Sequence, residues 1–352
     1  MDFQKQLAHA RKYAEAFWQH EVIDRPYIAV TAPIRPTAYR WSPTFSAQTC
    51  LNESYDDILK PFCELVKNTY YAGEAMPNLE LTLGPDQYAG FLGGKIETSS
   101  ENYTTWVLPC LDSIESFRAV IDESPDGYFM KLKKYFEYAA KIADGRFMLN
   151  MLDLHSNLDA ISALRGAEGL CFDIMDYPEE VHRVLDEVNA TFGKVYDMAY
   201  ESGNMANVGT IGWSPIYCRG RSAVLQCDFS CVLSPAQGRE YVFPAIEEES
   251  SHLDHAIYHL DGKDALCHLD TLLAMDCIDC IQWVPGAGQP RTLEWMDLLK
   301  KIQSAGKSLW LYDWTPDEIR MYAKELRPEL VAFSVWVGTP DEADSLVEAL
   351  KL

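Results

Sequence analysis

From residue 77 onward, short apolar runs alternate with stretches of helical periodicity, and that alternation confines the chain to α/β architectures. The spacing predicts strands near 77–83, 147–153, 205–212 and 223–228, a fifth ending at His259, and others near 279–284, 308–312 and 330–335. It predicts helices near 113–122, 126–144, 158–166, 178–203, 234–255, 263–275, 291–305, 316–326 and 340–351. Pro178 with Glu179 and Glu180 suits a helix start, and Gly203 suits a stop. Alternating Thr, Tyr, Trp and Val over 94–110 reads as a hairpin. Eight strands alternating with helices predict a single-domain (β/α)8 TIM barrel over 1–352, with 1–76 as an N-terminal helical cap and 31–41 loop-like. A doubly wound sheet alternates too, but no GxGxxG opens a helix, which removes the dinucleotide version.

The chain carries 30 basic and 53 acidic residues, a formal charge of −23. Such a surface repels nucleic acid and anionic membrane. No run of about 18 apolar residues is present, so no transmembrane helix is expected. The opening residues are amphipathic, without the apolar centre of a signal peptide, which gives a cytoplasmic expectation. The ten cysteines are scattered, as expected of reduced thiols. Cys277 and Cys280 form a CxxC that runs into an apolar strand, so packing is expected there rather than redox or zinc chemistry.

In a parallel barrel the reactive side chains gather just after each strand. The segment 256–262 is the sharpest case. His259 and Asp261 are two apart and share one face of an extended strand, and Gly262 permits a sharp turn after them. Reading the other strand ends gives Glu80, Asp153 and His155, Trp213 and Tyr217, and Asp228. Gln282 and Trp283, Asp313 and Trp314, and Ser334 and Trp336 follow. Alone, a strand-end aspartate serves as a helix cap and a tryptophan as core. Together they suit a divalent metal, an acid–base pair, a methylated ammonium against aromatic faces, or a sugar.

The stretch 153–188, with Asp-x-x-Asp-Tyr-Pro-Glu-Glu-Val, resembles the uroporphyrinogen decarboxylase superfamily, as does 227–248 with Leu-Ser-Pro and Phe-Pro. The resemblance covers about residues 60–352 and implies the same barrel fold. The decarboxylases carry an Arg-Gln-Ala-Gly-Arg element; here the comparable region has Arg35 and Arg40 without that motif, so porphyrinogen decarboxylation is not expected. The cobalamin-dependent methyltransferase branch carries His-x-Cys and a later Cys as zinc ligands. His259 matches that histidine, Asp261 replaces the first cysteine and Trp336 stands where the last is expected. The resemblance therefore implies an oxygen-rich metal site, with zinc or another divalent ion, or none.

These readings imply methyl transfer between a small methylated substrate and a corrinoid protein or folate-type acceptor. His259, Asp261 and Asp228 would be catalytic, with His259 and Asp261 as metal ligands. Glu80, Asp153, His155, Trp213, Tyr217, Gln282, Trp283, Asp313 and Trp336 would bind substrate. No Asp-x-His-x-x-Gly pattern is present, so any corrinoid would arrive on a partner. The alternatives are a metal-independent acid–base lyase or hydrolase on a sugar-like or carboxylated molecule, and a non-catalytic binder. A symmetric dimer is a base-rate expectation.

Overall fold

The computed structural model describes residues 2–35, 46–99 and 104–352. Its centre is a mostly parallel sheet in the order β2-β1-β11-β10-β9-β8-β7, made of β1 (Tyr27–Pro33), β2 (Thr69–Gly73), β7 (Ser222–Leu225), β8 (His255–Asp261), β9 (Cys280–Val284), β10 (Ser308–Leu311) and β11 (Val331–Trp336). Every neighbouring pair is parallel except β1 with β2. Two short strands, β3 (Asn78–Leu79) and β6 (Met148–Leu149), pair in parallel beside it. β4 (Lys95–Ser99) and β5 (Thr104–Leu108) form the expected antiparallel hairpin, whose turn lies outside the described residues.

The period of two along each strand sorts side chains into two apolar layers. On β8, Ala256, Tyr258 and Leu260 join the large core beneath the flanking helices, while Ile257 joins a second cluster. That second cluster fills the sheet's other face at the N-terminal strand ends, where Tyr27, Ala29, Trp310 and Ala332 meet Phe3, Leu7, Ala14 and Trp18 of the helix Phe3–Trp18. Spacings of four and seven place those residues on one helical face. The helix Pro178–Asn189 works alike, burying Val181, Val184, Leu185 and Val188, with proline in its first turn.

Several sequence expectations change. The segment read as a helical cap supplies β1 and β2 to the main sheet. Of the stretch read as loop over 31–41, residues 31–33 belong to β1 and 36–41 lie outside the described residues. Residues 113–122 are not helical, because the carbonyls of Ile114, Glu115 and Phe117 accept bonds from the Arg183 guanidinium instead of continuing a ladder. The strand expected at 205–212 opens as the helix Met205–Val208, and only Thr210 bridges to Cys218. The helix read as 178–203 breaks after Asn189 and restarts at Phe192.

No helix among the described residues is long and apolar enough to cross a membrane. All ten cysteines are free, and Cys280 is buried within β9, a packing role.

Candidate active site

At the C-terminal strand ends the packed interior gives way to a cavity of about 1510 Å³. Trp310 belongs both to the apolar cluster below and to the cavity wall, so the cluster forms the floor. Seven expected residues line it: Glu80, Asp153, Trp213, His259, Asp261, Gln282 and Trp336. Among the described residues, no cysteine, lysine or arginine does.

His259 and Asp261 stand on one face at the end of β8, two positions above the buried Ile257. Gly262 follows with φ +81, a backbone state other residues rarely adopt, and its N–H donates to the Val284 carbonyl at 2.8 Å. The neighbouring strand sets the histidine's orientation. His259 pairs in register with Gln282, and its Nδ1 lies 2.6 Å from Gln282 Oε1. An amide oxygen only accepts, so Nδ1 donates, and in the neutral ring the lone pair is then on Nε2. Ligating atoms of His259, Asp261 and Asp228 lie within 4.8 Å of one another. Asp228 opens a short helical turn after β7, and its side chain is 47% exposed. Partial burial and the Asp159 carboxylate push its carboxyl up, opposed by His155 and His259.

Beside these groups, His155 is held among carboxylates. Its Nε2 is 3.4 Å from Asp153 Oδ2, and its Nδ1 is 3.4 Å from Asp159 Oδ2 and 3.8 Å from Asp228 Oδ2. Burial opposes charge on this ring, yet Asp153 and Asp159 outweigh it and hold it well above the usual imidazole range. Burial likewise pushes Asp153 up, but His155, His259 and the bond from Gln226 Nε2 (2.6 Å) bring its carboxyl below the ordinary value. Glu80 differs: its side chain is open to the cavity, yet its recessed position and the Asp153 charge push its carboxyl up to about 7. Behind them Glu249 is 1% exposed and bonded by Ser156 Oγ and Asn157 Nδ2. Burial pushes its carboxyl up to about 8, against those two bonds.

The aromatic wall is continuous. Trp213 meets His259 edge-on at 5.3 Å and Trp310 at 5.2 Å, and Trp310 meets Tyr312 at 5.6 Å. Trp310 Nε1 donates to Ser334 Oγ at 2.9 Å, which fixes the ring. Trp336 is 60% exposed at the mouth.

Three expected substrate contacts lie elsewhere. Trp283 is fully buried against Trp295, because it shares the face of Ile281 while Gln282 takes the opposite one. Asp313 accepts from the Thr292 N–H at 3.1 Å and from its hydroxyl, so it anchors the turn Thr292–Trp295. Tyr217 packs in the lower cluster, donating to the Val208 carbonyl at 2.9 Å and accepting from Arg11. His155 and Asp228 are absent from the cavity lining but border it through Asp153, His259 and Asp261. Arg35 is exposed, and Arg40 lies outside the described residues.

Sequence reading missed Trp310, Tyr312 and Asp159. The first two were open to it: in Ser308-Leu-Trp-Leu-Tyr312 alternate positions share a face, so 310 and 312 go together and 313 does not. Asp159 sits in the first turn of the helix Asn157–Arg165, where the dipole alone justifies a carboxylate. Its oxygens accept the N–H groups of Asp228 and Phe229 at 2.9 and 2.8 Å, a long-range bond that no local pattern marks.

No family model matches the chain, and no curated protein matches its sequence. Among solved structures, the chain is similar to a methyltransferase from Methanosarcina mazei, with a TM-score of 0.60 and 11% identity over 97% of this chain and 98% of that one. At that identity the likeness shows the fold: a mixed α/β chain around a mostly parallel sheet.

Proposed function

We propose that this chain is an enzyme of (β/α)8-barrel architecture, with 1–76 as its N-terminal part, that transfers a methyl group from a small methylated substrate. One link outside the main sheet favours a closed barrel. Met151 N–H donates to Ile211 O at 2.7 Å, continuing from β6 toward β7. The fold shared with a methyltransferase fits this reading.

The observation that carries the site is the convergence of Asp228, His259 and Asp261 at the cavity rim. One nitrogen and two carboxylates suit a borderline or hard divalent cation. With no cysteine lining the cavity, thiolate-ligated zinc does not fit. A bound cation would supply Lewis-acid polarisation of a substrate heteroatom. Gln282 fixes the His259 tautomer, and the wall of Trp213, Trp310 and Tyr312 offers ring faces to methyl or ammonium groups. Glu80, its carboxyl pushed up to about 7, can hold or give a proton at its carboxyl oxygen. The methyl acceptor would be a corrinoid carried by a partner protein or a folate-type molecule.

A second reading, an acid–base lyase or hydrolase, rests on one observation: Glu80 is pushed up to about 7 while neighbouring Asp153 is held down. Two carboxyls whose affinities for protons are split this way can serve as acid and base.

The test is elemental mass spectrometry on chelator-free wild type and Asp261→Ala, beside a screen of methylated amines and thioethers with free cob(I)alamin. About one equivalent or more of a divalent metal, lost with Asp261, together with methyl transfer, supports the first reading. A metal-free protein, even after reconstitution with zinc, moves the acid–base reading ahead.

A further inference from the structure

Asp228 belongs to two separate three-residue groups whose ligating atoms lie within 4.8 Å: one with His259 and Asp261, the other with His155 and Asp159. We propose that the second group is also a cation site, so that Asp228 bridges two divalent ions. This extends the metal reading above and rests on it.

The spacing is the first argument. His155 Nδ1 stands 3.4 Å from Asp159 Oδ2 and 3.8 Å from Asp228 Oδ2. Both exceed the 2.7–3.2 Å of a good N–H···O bond, roughly. Two ligands on one tetrahedral ion, each at about 2.0–2.2 Å, stand roughly 3.3–3.6 Å apart. The contacts lie within ion-pair reach and also near the span of two ligands on a shared cation.

The second argument is the far side of each ring. A metal-bound histidine usually gives its other N–H to a carboxylate or carbonyl acceptor. His155 turns Nε2 toward Asp153 Oδ2 at 3.4 Å, a charge contact rather than a good hydrogen bond, and Asp153 is itself held by Gln226 Nε2 at 2.6 Å. His259 turns Nδ1 toward Gln282. The two groups thus repeat one plan, with an oriented imidazole, a carboxylate of its own and a shared Asp228. Asp159 also fixes the bridge directly, accepting the N–H of Asp228 itself at 2.9 Å. Nitrogen and carboxylate donors favour zinc, cobalt or manganese over a soft thiophilic ion. Two ions about 3.5–4 Å apart would present a clamp for a substrate oxygen, of hydroxyl, carboxylate or phosphate type.

Metal stoichiometry separates this inference from the reading beneath it. Wild type loaded with Mn²⁺ and desalted should hold about two equivalents, and His155→Ala and His259→Ala about one each. Asp153→Asn keeps every proposed ligand and should weaken the second equivalent about tenfold or more. Electron paramagnetic resonance of loaded wild type gives a readout that needs no variant: two bridged Mn²⁺ ions show an exchange-coupled spectrum. One equivalent in both wild type and His155→Ala, with an isolated six-line signal, overturns the second site and leaves the first standing. No bound metal in any of them overturns both.

Discussion

Glu74 and Glu80 are six residues apart on one segment, and they show how the two ends of this fold divide their labour. Glu74, fully buried, accepts bonds from Arg25 at 2.6 and 2.8 Å and from the Ile28 N–H at 2.8 Å, and His9 lies at 3.1 Å. Its charge is spent on structure, locking β1 to the chain beyond β2. Glu80 faces the cavity, and among the described residues no hydrogen bond reaches it. A carboxylate with every lone pair engaged cannot take part in chemistry, whereas an unengaged one of raised proton affinity can. β8 repeats the division within one strand, with Ile257 in the packed end and His259 and Asp261 two and four positions on.

The largest expected effect is at the packed end. Glu74→Ala leaves Arg25 buried without its carboxylate and should cost about 3–5 kcal/mol in chemical denaturation. A loss within the scatter of surface mutations would break the contrast. In the buried layer behind the cavity, a neutral acid should make stability depend on pH. Glu249, pushed up to about 8, stays protonated in the fold while an unfolded glutamate ionises near pH 4.5. The native state then binds the extra proton, so this group's contribution falls as pH rises from about 4.5 to 8. Glu249→Gln keeps the bonds from Ser156 and Asn157 and should flatten that fall. Relative to wild type it should gain at least about 1 kcal/mol between pH 4 and pH 8.5. A variant whose stability tracks wild type across that range would contradict a neutral Glu249.

Asp313→Ala should cost about 1 kcal/mol, as lost caps do, and leave ligand or metal binding unchanged, because its bonds go to Thr292. Weaker binding in that variant would return Asp313 to the cavity. Smallest in stability is Glu80→Gln, expected to lie within about 0.5 kcal/mol of wild type at pH 5, where both carry a neutral side chain. Turnover in that variant should fall, and the pH–rate limb near 7 should disappear.

What the sequence showed depended on length and parity. β8 through β11 are apolar runs four to seven residues long, so their positions and the pair His259 and Asp261 were legible. β3 and β6 have two residues each, too few to carry a period, and the segment around 211 contributes a bridge rather than a strand. Where neighbours were both assigned to the cavity, as with Gln282 and Trp283, a strand's period of two allows one of them only. The His155 group was half visible. Asp153 and His155 follow a strand, but their meeting with Asp159 and Asp228 depends on backbone bonds across about 70 residues, at the turn after β7.

Anomalous diffraction from crystals soaked in zinc, recorded on both sides of the zinc edge, tests the central claim most directly. The account predicts a peak at the open end, about 2.0–2.2 Å from His259 Nε2 and from carboxylate oxygens of Asp228 and Asp261. A map with no peak there, or with zinc only on scattered surface carboxylates, would contradict it.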